Sequence, residues 1–472
     1  MSITRRQFIK RAGALTTAGV LGGPGWLRNP LIRRALAAAL GDRYFVVIDL
    51  GGGNDGLNTV VPYDDGSIGQ FRSLYEQYRS DSSSGGVRIL QSQLANTLIG
   101  SDAGTGTPLA LNPALAGFKS LWDLGKLAIV QGCGYPQASL SHAVSEQKWQ
   151  TGDPLDTGLS TGWLGRYLAA RYAATDIPAV STQSGIPGEF IQSVTGILAT
   201  PQLADFEVPV DAVYPSDQAD KIAGYAALYA AARQSVQPTL QYAGTVGGAL
   251  LTAARIYPPL DGLYTADRSS WNALYSANGT PTAQSLREVA KTIYGVLNGA
   301  VSSRFFEVLS GGYDTHTDQG TATPGGQHYE LLAELGDALK IFYDDCADMG
   351  VADKLCVMMW SEFGRRIEQN ANGTDHGTQA PMFIIGGSVI GGLYGNHPNI
   401  DPAALDPTVP NTVYSQAAAD PYRSTDFRDV YGTLLKHWLG LTATDVLGIL
   451  PVDRGDPALY WTAPNFDLPF LP

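Results

Sequence analysis

Short, uninterrupted apolar runs alternate with segments of helical period along most of this chain. Tyr44 to Leu50, Leu127 to Gln131, Phe305 to Leu309, Leu355 to Trp360 and Met382 to Ile385 predict strands buried on both faces. Between them the apolar positions recur every three or four residues. Leu331, Leu335, Leu339, Phe342 and Cys346 mark one stripe of a helix over Gln327 to Met349, and Leu286, Val289, Ile293 and Val296 mark another that ends near Gly299. Continuous apolar strands separated by amphipathic helices predict an α/β fold, a three-layer sandwich with a mostly parallel central sheet covered on both faces.

Two stretches break the alternation, residues 81 to 110, rich in Ser and Gly, and residues 185 to 280, rich in Pro, Ala and Tyr. They predict loop insertions from a single domain spanning residues 40–472. The Pro-rich stretch from 398 to 422 predicts a surface loop. Ahead of the domain, Thr4-Arg5-Arg6-Gln7-Phe8-Ile9-Lys10 precedes a short, weakly apolar run and the small-residue segment Ala35-Leu36-Ala37-Ala38-Ala39. This is the pattern of a twin-arginine signal over residues 1–39, with cleavage expected near Ala37 to Ala39. It predicts the twin-arginine export machinery as a partner and a periplasmic or secreted location. Export in the folded state favours a protein that takes up a metal or cofactor before crossing the membrane.

The signal holds seven basic residues and no acidic one, so its removal takes the net charge from −13 to −20. Such a surface disfavours nucleic acid and anionic lipid as partners. No second apolar run is long enough to span a bilayer, so no stable membrane insertion is expected after cleavage. Three cysteines, Cys133, Cys346 and Cys356, give no disulfide framework. Cys346 and Cys356 flank a helix-to-strand turn and can pair, or Cys356 is simply a small core residue.

In an open parallel sheet, ligands bind beyond the carboxyl ends of the strands. There the chain places Asp49-Leu50-Gly51-Gly52-Gly53-Asn54-Asp55-Gly56, then Ser141-His142, then Asp314-Thr315-His316, then Ser361-Glu362-Phe363-Gly364-Arg365-Arg366, with Gly373-Thr374-Asp375-His376-Gly377 shortly after. Asp, Glu and His are the ligand types that divalent ions accept, and a hydroxyl beside a metal can act as a nucleophile. Three of the six histidines, His142, His316 and His376, fall in these segments. Each residue also has a plainer role open to it. Asp55 can cap a local turn, Ser141 can cap a helix, Asp314 can bind backbone amides, and Glu362 can pair with Arg365 or Arg366. The glycine run lacks dinucleotide-binding spacing.

Together the segments Gly52-Gly53-Asn54-Asp55-Gly56-Leu57-Asn58, Ser141-His142 with Trp149 and Gly152, Asp314-Thr315-His316, Ser361-Glu362-Phe363-Gly364-Arg365, Gly373-Thr374-Asp375-His376-Gly377 and Asp426-Phe427-Arg428-Asp429-Val430-Tyr431 resemble the bacterial export-associated family called domain of unknown function 1501. That family is placed in the alkaline phosphatase and sulfatase superfamily. The resemblance implies an alkaline phosphatase-like core with metals at the strand ends. By position it implies Asp55 or Asp49 as the early acidic ligand, Ser141 as the nucleophile, Asp314 and His316 as middle ligands and His376 as the last, with Asp375 as a further one. Glu362 joins the candidate ligands, and His142 and Arg365 join Ser141 as candidate catalytic groups, Arg365 or Arg366 neutralising an anion. Where superfamily enzymes carry an adjacent Asp-His pair, this chain has Glu362-Phe363, one histidine fewer. The Cys-x-Pro-x-Arg segment needed for the formylglycine of sulfatases is absent, since Cys133-Gly134-Tyr135-Pro136 has other spacing.

The leading expectation is an exported hydrolase that uses a divalent metal, zinc, calcium, magnesium or manganese, on a small-molecule or polymeric phosphate or related anionic ester. The competing one is a non-catalytic exported binding or surface-assembly protein with a degenerate metal site.

Overall fold

The computed structural model describes residues 41–67, 69–81, 85–155, 158–192, 195–210, 212–398, 400, 423–451 and 464–472. The twin-arginine segment and most of the 398–422 stretch lie outside the described residues. The chain divides into two compact units, a larger one of residues 42–157, 270–287 and 308–472 and a smaller one containing Gly41 and residues 158–269 and 288–307.

The main sheet of the larger unit includes, among the described residues, β1 (Tyr44–Asp49), β2 (Leu127–Gly134), β3 (Leu355–Trp360), β4 (Gln379–Ile385) and β5 (Gly392–Tyr394), with Thr425–Asp426 also paired to β2. Their spatial order is β5-β2-β4-β3-β1. β1 and β3 pair in parallel, with Asp49 opposite Trp360, and β5 pairs in parallel with β2. β4 alone runs antiparallel to both of its neighbours, so the sheet is mixed and mostly parallel. Every residue of the first four strands is buried, as their unbroken apolar runs require.

Helices cover both faces. Phe383 of β4 lies opposite Met359 of β3 and shares its face, where Phe118 of the helix Ala116–Asp123 meets it edge-on at 5.4 Å. The next residue of β3, Trp360, points the other way. There Trp149 of the helix His142–Thr151 stacks on it at 5.4 Å, and Phe427 stacks on Trp149 at 4.3 Å. The long helix runs over Gln327–Asp348, buries Leu335, Leu339, Phe342 and Cys346 and packs beside Ala116–Asp123.

Residues 81 to 110 contain more order than their composition suggests. Leu98–Ser101 and Pro108–Leu111 join Val60–Pro62 in a small antiparallel sheet, over a cluster of Leu57, Val61, Phe71, Tyr75, Ile89 and Leu94. In the smaller unit, Phe305 to Glu307, Ala179–Ser181 and Ile197–Ala199 pair in parallel. Much of 215 to 269 is helical there, including the hairpin of Gln218–Arg233 and Pro238–Ile256. No helix among the described residues is long and apolar enough to cross a membrane. Cys133, Cys346 and Cys356 are buried and form no disulfide, so Cys346 and Cys356 do not pair.

Topology defines one edge of the larger sheet. β1, β2 and β3 run in one direction and β4 in the other, so the carboxyl ends of three strands and the start of the fourth lie together. Beyond β1 the amide of Leu50 donates to Trp360, that of Gly51 donates to Ser310, and that of Ser310 donates back to Asp49. The segment after residue 309 is thereby fixed to the same edge.

Two histidines are fully enclosed in this unit. Burial lowers the pKa of His328 to about 4, outweighing the attraction of Asp55, with Arg79 and Arg365 pushing the same way. Burial lowers His397 to about 4 as well, against the attraction of Asp102. Their unfolded counterparts titrate near pH ~6.5, so between these values the unfolded chain binds more protons and stability falls as pH drops. Urea unfolding should lose up to about 1.4 kcal/mol per pH unit per histidine below about pH 6.5. A stability that stays flat between about pH 7 and 5 would contradict the assignment.

Candidate functional site

A glycine turn begins the site. Gly52 has φ +122°, and a Cβ there would stand 2.4 Å from the amide nitrogen of Asp314, so only glycine lets the turn after β1 approach the loop that carries Asp314. The amide of Gly52 donates to Glu362 Oε1 at 2.9 Å, and that of Gly53 to Oε2 at 3.2 Å. Asn54 N donates to Ser361 Oγ at 2.9 Å, and that hydroxyl donates to Leu50 O at 2.7 Å. Glu362, two residues past the end of β3, therefore fills a cradle of amides supplied by the neighbouring strand's loop.

Glu362 Oε1 also lies 2.7 Å from His142 Nδ1. That interaction orients the ring so that Nε2 points to Asp314 Oδ2 at 3.4 Å. His376 is held likewise, with Nδ1 2.8 Å from Leu140 O and Nε2 3.1 Å from Asp314 Oδ1. His316 has Nδ1 2.9 Å from Asp375 Oδ1 and Nε2 3.2 Å from Asp314 Oδ1. The Nε2 atoms of His316 and His376 face each other at 2.9 Å.

Each Nδ1 thus has an oxygen acceptor, and with the ring proton held there the Nε2 lone pair faces inward. Three lone pairs and a carboxylate converge on one another. His142, Asp314 and His376 form a compact group whose ligand atoms lie within 4.8 Å of one another, with His316 adjoining through its contacts to Asp314 and His376. Imidazoles anchored through the far nitrogen to a carboxylate or carbonyl are the arrangement of metal-binding histidines. His142, Asp314 and His376 are the group whose ligand types and spacing could hold a divalent cation, with His316 beside it. Phe363 packs its ring against His142 at 4.9 Å and His376 at 4.3 Å, supporting both imidazoles from the position next to Glu362.

Charge fits the same picture. Burial raises the pKa of Asp314, but the hydrogen bond and charge of Arg365 hold it well below its ordinary value, so it is ionised at neutral pH. Burial also raises Asp375, and the hydrogen bonds of His316 and Asn370 pull it below its ordinary value. Burial lowers His376, which keeps its imidazole neutral. Both ligand loops meet at Gly373, where a Cβ would stand 2.4 Å from the carbonyl oxygens of Thr315 and His316.

The remaining sequence candidates occupy other places. Asp55 is fully buried and bound to Arg79, Oδ2 to Nη1 at 2.6 Å and Oδ1 to Nη2 at 3.0 Å, and it caps the turn Gly56–Thr59. Burial raises its pKa, and the charge and hydrogen bonds of Arg79 more than reverse this. Asp49 ends β1 opposite Trp360, apart from the compact ligand group. Arg365 is buried with its guanidinium on the carbonyls of Gly52, Gly53, Tyr313 and Thr374 and on Asp314 Oδ1 at 2.8 Å. It fixes the ligand loops from behind. Ser141 is exposed at the N-cap of the helix His142–Thr151, and its side chain makes no cap hydrogen bond. Arg79 and Gln319, which hold this region together, have no local signature and escape a reading of the sequence.

Residues 269–449 match the model of a family described as "Protein of unknown function (DUF1501)". That span holds Asp314, His316, Glu362, Arg365, Asp375 and His376 but not His142. No curated protein matches the chain. The crystal structure of PsFucS1 sulfatase from Pseudoalteromonas sp. aligns with a TM-score of 0.34 at 11% identity, covering 91% of this chain and 77% of that one. A likeness of that size carries no functional argument.

Arg79→Met leaves the carboxylate of Asp55 buried without its cation. Removing one partner of such a pair costs about 3–5 kcal/mol. Urea unfolding at neutral pH should show a loss of this size, and a loss below about 1 kcal/mol would mean that water reaches Asp55.

Proposed function

We propose that this protein belongs to the domain of unknown function 1501 family, carries an alkaline phosphatase-like core, leaves the cytoplasm by the twin-arginine route and hydrolyses a phosphate or related anionic ester at a divalent metal held by His142, Asp314 and His376, with His316 as a fourth ligand. The observation that carries this reading is the convergence of three imidazole Nε2 atoms on Asp314, each ring anchored by an acceptor at Nδ1. In particular, the Nε2 atoms of His316 and His376 stand 2.9 Å apart, close enough for one cation to lie against both.

When bound, a divalent metal supplies Lewis acidity toward an ester oxygen. The residues of the chain do the rest. Asp314, ionised at neutral pH, offsets the cation, and Arg365 holds Asp314 in place. Glu362 and Asp375 keep His142 and His316 in the ligating tautomer. Ser141, exposed beside His142, is the nucleophile of this reading: its oxygen bonds to phosphorus, the bond to the alcohol breaks, and the alcohol leaves with a proton. Water then cleaves the ester of Ser141, releasing phosphate and restoring the hydroxyl.

One observation favours the alternative of an exported binding or assembly protein. Among the described residues the compact ligand group is a single trio, and Glu362 is engaged with backbone amides and His142. A two-metal catalytic site would use that carboxylate as a ligand.

The deciding experiment is elemental analysis of mature protein made through the folded-export route in metal-replete cells. Stoichiometric zinc, calcium, magnesium or manganese is expected, and is lost in the Asp314→Ala/His376→Ala protein. Turnover of aryl phosphate and aryl sulfate esters should vanish in Ser141→Ala while metal content stays normal. Retained activity removes Ser141 from the reaction. A metal-loaded protein that turns over none of these esters supports the binding alternative.

A further inference from the structure

Directly behind the ligand loops lies an uncharged side chain with no assigned role. Gln319 is fully buried. The chain reaches it through Asp318, whose left-handed backbone, φ +56°, turns the segment back beneath His316. Gln319 Oε1 accepts from Thr374 Oγ1 at 2.6 Å and from Thr315 Oγ1 at 3.2 Å, while Nε2 donates to Asp55 Oδ2 at 2.6 Å. Its own amide donates to Asn372 O at 3.2 Å.

These bonds have a consequence for geometry. Thr315 stands between Asp314 and His316, and Thr374 immediately precedes Asp375 and His376. Thr374 N also donates to Thr315 O at 3.1 Å, so the two loops run together at this point. One amide group joins both hydroxyls and ties them to the buried ion pair of Asp55 and Arg79. An amide suits this place because it offers an acceptor to two hydroxyls and a donor to a carboxylate. A glutamate would set two acceptors against each other.

We infer that Gln319 is a positioning residue of the metal centre, latching the loop of Asp314 and His316 to the loop of Asp375 and His376 in the arrangement at which their ligand atoms converge. This rests on the metal-binding reading above. Asp55, expected from the sequence to ligate metal, serves in this account as the foundation of the latch. Outer partners of metal ligands commonly set affinity by about 10–100-fold through orientation alone.

The test uses the mature full-length protein and cobalt(II) as probe. Gln319→Met keeps the length of the side chain and removes its hydrogen bonds, Thr374→Val removes one hydroxyl, and Thr374→Ser keeps it. Chelator competition should show cobalt affinity reduced about 10–100-fold in Gln319→Met and Thr374→Val. The visible cobalt absorption should change in both, and both readouts should recover in Thr374→Ser. A folded Gln319→Met protein with wild-type cobalt affinity and spectrum overturns the inference. If the wild-type protein itself takes up no cobalt, the metal centre fails, and hydrogen exchange at the amide of Thr374 then reads the latch directly. Faster exchange in Gln319→Met retains the coupling of the two loops, and unchanged exchange removes it.

Discussion

One buried guanidinium holds the carboxyl edge of the larger unit together. Arg365 reaches the glycine turn after β1, the loop of Asp314 and the loop of Thr374, so three segments far apart in sequence share a single cation. Its position follows from a two-residue antiparallel ladder in which Gly364 faces Gly377 and Arg365 faces His376. The same pairing that buries the arginine therefore places His376 beside Asp314. A desolvated cation is costly unless its donors are met, and here backbone carbonyls and one carboxylate meet them. Lysine, a point charge with three donors on a flexible stem, has no comparable reach over several loops.

Around that hub, the negative groups are sorted by what they face. Asp314 points into the convergence of imidazoles, Glu362 sits in a cradle of amides, Asp375 backs His316, and Asp55 pairs with Arg79. Asp314 and Asp375 are both close to half exposed, but only Asp314 has its oxygens among the Nε2 atoms. The other three restrain something else, a ring or a loop. A carboxylate can ligate a metal or orient a ligand with identical chemistry, and position alone separates the two roles.

That is also why the sequence was legible in some places and silent in others. Continuous apolar runs predicted β1 and β3 closely, because a strand buried on both faces leaves no room for polar residues. They also located the loops of Asp314, Glu362 and His376. Two-residue strands such as Gly364–Arg365 carry no period and cannot be read in advance. The orientation of β4, antiparallel to its neighbours, was equally hidden, since an apolar run has no direction. Ligand and orienter could not be told apart at Glu362 or Asp375, and the pairing of Asp55 with Arg79 spans a distance at which no local pattern operates. His142 stood in the sequence as a candidate catalytic group, while its contact with Glu362 through Nδ1 and with Asp314 through Nε2 could be read only from the structure.

Exposure gives the arrangement its chemical sense. The side chains of His142, His316 and Asp314 are 40%, 41% and 47% exposed, whereas their supports Glu362 and Arg365 are nearly or wholly buried. A half-exposed imidazole would ordinarily sample several rotamers, and its lone pair would spend much of its time bound to water. Anchoring each Nδ1 removes that freedom without closing the face where Nε2 lies, so the ligand atoms stay both fixed and accessible. The polar interior behind them is large for this reason. Gln319, Arg79 and Arg365 replace the apolar packing that would otherwise fill the space, and their fixed hydrogen bonds give the open face a single geometry.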